Sequence, residues 1–212
     1  MASSNEDFIE RMLHRKDKSI LNFIIIGVNI VIFILTEFTG GTDNSVNMIR
    51  WGAAYTPLVA SGEYYRLFTS MFLHFGFRHL LSNMVLLFFI GDYMERYLGR
   101  IRYLILYLAG GLAGSFLSYS VVAARGEAVV SAGASGAIFA VLGALAVMAL
   151  LNHGRLEDLT LVRILIMAGL SIWVGFSSPG VDGFAHLGGF LGGCIIALLY
   201  AALFPRFRYR RT

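Results

Sequence analysis

The sequence predicts an all-α polytopic membrane protein, a bundle of six transmembrane helices. Three observations point there. Of 212 residues, 57% are hydrophobic and only 14% charged, against roughly 45–50% and 25% in soluble domains. Mean hydropathy is +0.71. Six apolar stretches recur along the chain, at about 20–38, 79–98, 102–123, 135–151, 161–177 and 183–204, each near the ~20 residues that a bilayer span requires. A water-soluble enzyme, a disordered chain, a collagen-like repeat and a disulfide scaffold are excluded on these grounds. The single cysteine, Cys194, allows no internal disulfide.

Taken in order, residues 1–19 form a cytoplasmic N-terminal segment. Residues 20–204 form the six-span domain, and residues 205–212 a basic cytoplasmic tail suited to anionic lipid. The first stretch is too long for a signal-peptide core, and Thr36-Glu37-Phe38 is a poor cleavage site, so it reads as a signal anchor. A long outer loop, about 39–78, follows and carries Trp51, Tyr55, Tyr64 and Tyr65. Aromatics of this kind sit at headgroup level, so the loop is expected to lie partly in the outer leaflet, without strands. Within it, Thr56-Pro57 and Gly62 predict a short helix with Thr56 as cap, Pro57 in the first turn and Gly62 as stop. The fourth and fifth stretches are near the short limit for a span.

Charge sets the orientation. With the N-terminus inside, the inner segments hold Arg11, Arg15, Lys16, Lys18, Arg96, Arg100, Arg102, Arg155, Arg163, Arg206, Arg208, Arg210 and Arg211 of the 17 basic residues. The outer segments hold Arg50, Arg66, Arg78 and Arg125. The positive-inside bias places both termini in the cytoplasm. The net charge of +4 is therefore assigned to inner loops, and no nucleic-acid partner is expected.

Polar residues inside spans are costly and mark candidate sites. His79 and Asn83 are spaced i, i+4 and share a face of span two. Gly133-Ala134-Ser135-Gly136 opens span four, and Asp182-Gly183-Phe184-Ala185-His186 opens span six. Spans two, four and six all run inward, so His79, Ser135 and His186 fall at one shallow outer depth. Small residues on span four (Gly136, Ala140, Gly143, Ala144) and span six (Gly188, Gly189, Gly192, Gly193) predict a close contact. That contact would hold His186 beside Ser135 and over the Phe139 ring.

These residue types suit acyl transfer. A serine hydroxyl needs a base to take its proton, and His186 can take it and return it to a leaving amine. The Ser135 backbone N–H, at a helix start, with His79 and Asn83, can meet an oxyanion. No carboxylate is placed to orient His186, so a dyad is expected, and Asp182 reads as the N-cap of span six. Taken singly, each residue has a plainer use: Ser135 as a cap or back-bonded hydroxyl, His186 as an interfacial histidine, Asn83 as interhelical glue. His74 reads equally as a structural loop residue or a spare donor. A soluble nucleophile elbow is rejected, because position 137 is alanine and the flanks are membrane helices. With no His-Glu-x-x-His and no cysteine cluster, neither metal nor cofactor is expected.

Five motifs in chain order resemble the rhomboid family of intramembrane serine proteases: Tyr65-Arg66, His79-x-x-x-Asn83, Glu95-x-x-x-Gly99, Gly133-Ala134-Ser135-Gly136, and Ala185-His186-x-x-Gly189-x-x-x-Gly193. The resemblance covers about residues 20–204. It implies a six-helix core with a wet cavity open to the outside. It implies Ser135 as nucleophile, His186 as general base, and His79 and Asn83, with the Gly133 segment, around the oxyanion. Phe139, Gly189, Gly193, Tyr65 and Arg66 are then packing or substrate-adjacent positions. Implied substrates are single-pass or polytopic membrane proteins, cut near the outer end of a helix at small residues. Tyr65 stands where tryptophan is common, and Phe139 where some members carry tyrosine. The chain resembles the minimal bacterial form, implying the bacterial inner membrane with the site facing outside. Span five, with Gly169 and Gly175, is a candidate moving wall. The alternatives are an inactive rhomboid-like client-binding protein and a small transporter or channel. The first would lack Ser135 or His186, and the second would show paired charges near the midplane.

Overall fold

The computed structural model describes residues 19–156, 159–178 and 180–204. The cytoplasmic roles expected of residues 1–18 and of the tail 205–212 lie outside the described residues.

Apolar helices dominate. The first, α1 (Ile20–Phe38), turns Phe23, Ile24, Val31 and Leu35 outward and buries Asn22, Ile25, Asn29 and Thr36. This inside-out pattern is what lipid demands, since apolar side chains are at no disadvantage facing hydrocarbon. The outer loop follows with α2 (Ser45–Arg50), strand β1 (Ala54–Tyr55), α3 (Thr56–Ala60), α4 (Arg66–Thr69) and a tight turn, Ser70–Phe72. The chain then bends by 87° into α5 (Gly76–Leu86), which continues through a wide turn at Leu87–Gly91 into α6 (Asp92–Leu98). Next come α7 (Arg100–Ala124), strand β2 (Val130–Ser131) and α8 (Ser135–Leu151). A two-strand hairpin, β3 (Arg155–Leu156) with β4 (Leu159–Thr160), leads to α9 (Leu161–Ser177) and α10 (Gly183–Leu203).

By length and composition α1, α7 and α10 can each cross a bilayer, and the bent pair Arg66–Phe72 with Gly76–Leu98 makes a fourth candidate. The remaining two, α8 and α9, are apolar helices of 17 residues. The six stretches expected from hydropathy are thus the six long helical segments, with the second starting earlier, at Gly76. The bundle is all-α and polytopic.

At the centre stands α8, buried without a break from Gly136 to Ala149. A helix apolar all round belongs in the middle of a bundle. Glycines bring its neighbours in. A Cβ at Gly189 would land on the Gly136 carbonyl oxygen, and one at Gly193 on the Ala140 carbonyl oxygen. The glycines of α10 do not form one seam, however. Gly189 and Gly193 face α8, whereas Gly188 and Gly192 face Ala113 and Leu117 of α7. One helix therefore carries two small-residue stripes for two partners, where the expectation was a contact with span four.

Two loop expectations need correction. Thr56 does not cap α3: it is the first helical residue, and its hydroxyl donates to the Val129 carbonyl at 3.2 Å. Pro57 in the first turn and Gly62 at φ +110° are as expected. The loop also contains a strand, because β1 pairs antiparallel with β2, Ala54 opposite Ser131. Two residues are too few to leave an alternating pattern.

At the other end of the bundle, Glu95 caps α1 from a distance. Its carboxylate accepts the Leu21 and Asn22 N–H groups at 3.1 and 2.6 Å, and the residue is 3% exposed. The first N–H groups of a helix have no internal partner. Glu95→Ala would orphan two of them in a buried place, with an expected loss of about 1–3 kcal/mol, read as a lowered unfolding midpoint in detergent. An unchanged midpoint would refute the cap.

The outer loop is held by Arg66, which is buried. Its guanidinium donates to the Ile49 and Ala53 carbonyls at 2.6 and 3.2 Å and pairs with Glu63 at 2.7 Å. The Tyr65 hydroxyl also donates to Glu63, at 2.8 Å. Hydrogen bonds from Tyr65 and Arg66 hold the Glu63 carboxyl below the usual glutamate value. The contribution is therefore present above the unfolded-state value and is lost as pH falls through the lowered one. Limited proteolysis of the loop should accelerate on acidification through the carboxylate range, and Glu63→Gln should remove that dependence.

Candidate active site

Gly133 is the key to the local geometry. Its φ is +144°, and a Cβ there would stand 2.9 Å from His79 Nε2 and 3.6 Å from Ser135 Oγ. The absent side chain is what lets the His79 ring, the Gly133 backbone and the Ser135 hydroxyl share one small space. The Gly133 N–H donates to the Ser70 carbonyl at 2.9 Å, which pins this segment to the bend before α5. The next N–H, of Ala134, donates to His74 Nε2 at 3.4 Å. His74 is 1% exposed and packs edge-on against His79, with ring centroids 5.1 Å apart. Sequence reasoning left His74 undecided. The structure makes it a support for the backbone beside Ser135, and no spacing rule announces that role because the contact crosses 60 residues.

Ser135 is the first residue of α8 and half-buried. One turn along the same helix, the Phe139 ring lies flat on the His186 imidazole, centroids 4.2 Å apart and planes 10° off parallel. The Gly136–Gly189 approach carries His186 there, one turn before Gly189 on α10. His186 is 6% exposed, and its Nδ1 has no hydrogen-bond partner. A Cβ at Gly175 of α9 would come within 3.1 Å of that nitrogen. Gly175 thus stands against the Nδ1 edge of the imidazole, a role that its sequence position among apolar residues did not reveal. Gly169, named with it as part of a moving wall, has open space around it.

Asn83 is buried one turn below His79, and its Nδ2 donor is unpartnered. Among buried side-chain atoms such unpaired donors are few in native structures. Asp182 caps α10 as expected, accepting the Ala185 N–H at 2.9 Å. Its other oxygen accepts the hydroxyls of Ser118 and Ser131, each at 2.6 Å. Tyr65 and Arg66 lie apart, in the scaffold of the outer loop. Among the described residues no group of three or more His, Cys, Asp or Glu side chains could hold a metal ion.

His79, Gly133 and Ser135 therefore form one cluster, and Phe139, one turn along α8 from Ser135, stacks on His186 of α10. Gly189 and Gly193 provide the packing between α8 and α10. Ser135 thus stands at a helix start beside the His79 ring, with the His186 ring stacked on Phe139 of the same helix.

Comparison with known proteins gives the family. The Rhomboid domain family model matches residues 61–203. The chain is 35% identical over 188 residues to Rhomboid protease GluP of Bacillus subtilis, covering 89% of this chain and 36% of that protein. It is 34% identical over 176 residues to RHOMBOID-like protein 7 of Arabidopsis thaliana, covering 82% and 53%. It is 33% identical over 145 residues to Putative rhomboid protease YdcA of B. subtilis, covering 68% and 71%. The chain thus spans only about a third to a half of GluP and RHOMBOID-like protein 7, but most of YdcA. Family-model coverage and apolar helices lead to one conclusion: this chain is an integral membrane protein of the rhomboid family.

Proposed function

We propose that the chain is an intramembrane serine endopeptidase that cuts transmembrane segments of membrane proteins with a Ser135–His186 dyad. The observation that carries this reading is the flat stacking of His186 on Phe139, one turn from Ser135, at the packed contact of α8 and α10. In the first half-reaction, Ser135 Oγ attacks the scissile carbonyl while His186 takes its proton. His186 then gives that proton to the departing amine, leaving an acyl-enzyme. Water, deprotonated by the same imidazole, releases the new carboxyl end. Nδ1 of His186 faces Gly175, so Nε2 is the nitrogen left for the serine. Asp182 is occupied by Ser118, Ser131 and Ala185, which supports a dyad over a triad.

The tetrahedral oxyanion needs donors already in place. The Ser135 backbone N–H, the unpartnered Asn83 amide and the His79 ring are the proposed set. Polar groups around the start of the short, buried α8 can line a wet cavity in the bilayer. Substrates are single-pass or polytopic proteins whose helix unwinds near its outer end. The site faces outward and both termini face the cytoplasm, as the basic-residue asymmetry supports, and the resemblance to the bacterial form points to the inner membrane.

The test is a covalent one. In liposomes, a fluorophosphonate should label wild type at Ser135, and a single-span reporter should be cut within or beside its outer third. Absence of both labelling and cleavage across several reporters would leave a client-binding, inactive member as the better reading.

A further inference from the structure

Asp182 does more than a helix cap requires. An N-cap uses one acceptor oxygen, and Oδ1 fulfils that with the Ala185 N–H. Oδ2 gathers two hydroxyls from elsewhere in the fold: Ser118 near the end of α7, and Ser131 in β2. Both bonds are 2.6 Å, the length of a hydrogen bond to a charged carboxylate. Ser131 in turn lies opposite Ala54 of the outer loop.

Ser131 precedes Ser135 by four residues, and Asp182 precedes His186 by four. Residues 132–134 are not helical, so α8 does not dictate where this stretch sits relative to α10. The glycine contacts below hold the two helices close, but apolar contact has no direction and permits sliding. A charge-assisted hydrogen bond is directional.

We propose that Asp182 is a positioning residue: with Ser131 as its main partner and Ser118 as its anchor to α7, it clasps the nucleophile's strand to the helix of the base and sets the Ser135–His186 register. This rests on the protease reading above. A misplacement of about 1 Å can cost ~10²-fold in rate, so loss of one of several constraints is expected to cost about tenfold.

The experiment compares wild type, Ser131→Ala, Ser131→Thr and Asp182→Asn in liposomes. It reads kcat and KM on a single-span reporter, the rate of fluorophosphonate labelling, and the unfolding midpoint. The probe needs no helical substrate, so its rate isolates the dyad from substrate entry. Ser131→Ala leaves the cap intact. It should lower kcat and labelling together by about tenfold, with KM within about twofold. Ser131→Thr keeps the hydroxyl and suits a strand, so it should restore both rates. Asp182→Asn keeps a cap acceptor but puts a donor where two hydroxyls need an acceptor, and should be at least as slow as Ser131→Ala. Should that variant fail to fold, the alanine and threonine pair decides alone. A wild-type kcat and labelling rate in Ser131→Ala, with or without a lower midpoint, would overturn the clasp and leave the protease reading standing. A wild type that neither labels nor cleaves would overturn both.

Discussion

Ser135→Ala and His186→Ala are each expected to reduce reporter cleavage by about 10⁴-fold or more, with the fold retained. A nucleophile and its base act as a unit, and removing either typically costs nearly as much as removing both. The double variant should therefore be no slower than the single ones. Both substitutions are mild for the fold. Ser135→Ala removes a single hydroxyl, and α8 is held by fourteen buried positions from Gly136 to Ala149. His186→Ala removes a ring from the face of Phe139, which lowers stability but leaves the Gly189 and Gly193 contacts in place. Cleavage in proteoliposomes, with the unfolding midpoint measured in parallel, is the check. Activity surviving Ser135→Ala would move the nucleophile elsewhere.

Gly189→Ala and Gly193→Ala should have the second-largest effect, although each adds a single methyl. The new Cβ would meet the carbonyl oxygen of Gly136 or of Ala140, both backbone atoms of the central helix. A flexible side chain can rotate away from such a clash, but backbone in a packed helix cannot. Overpacking of a tight core costs typically 1–3 kcal/mol, and a clash with backbone belongs at the upper end, about 3 kcal/mol. The helix that moves is the one that carries His186, so activity should fall further than the folded fraction does. Gly169→Ala is the matched control. It sits in an equally apolar helix with open space around it and should leave both midpoint and activity unchanged. Equal midpoints for Gly189→Ala and Gly169→Ala would refute the packing argument.

Lipid explains why so much of this fold is legible in a single chain. A span must satisfy its backbone internally and present apolar side chains outward, so hydropathy marks α1, α8 and α9 to the residue, and α10 to within one position at its end. The polar residues that break those runs stand out for the same reason. His79, Asn83, Ser135 and His186 could be named as candidates because polar groups in a membrane helix are costly and these share one expected depth, although each taken singly has a structural use, as Asn22 and Asn29 of α1 do. The facing of Phe139 to His186 was also accessible, since i, i+4 periodicity and small-residue spacing define faces before any partner is known.

Contacts between segments far apart in the chain were not accessible in this way. His74 supports Ala134 across 60 residues, and Ser118 reaches Asp182 across 64. The 87° bend ahead of α5 is what delivers His74, and no local propensity encodes it. The strand β1 is two residues long and exists only because β2 lies opposite. The glycines of α10 fit one seam or two by spacing alone, and only the positions of α7 and α8 assign Gly188 and Gly192 to one and Gly189 and Gly193 to the other.

The sequence by itself determined the class of fold and the six helical segments, and singled out the polar candidates within them, because the bilayer turns composition and periodicity into strong local constraints. Tertiary structure alone decided which groups stand together: His79 against Gly133, Gly175 against His186, and Asp182 between Ser118 and Ser131. Those relations depend on crossing geometry and chain bends, where the free energy lies in contacts between segments and leaves no periodic trace in either one.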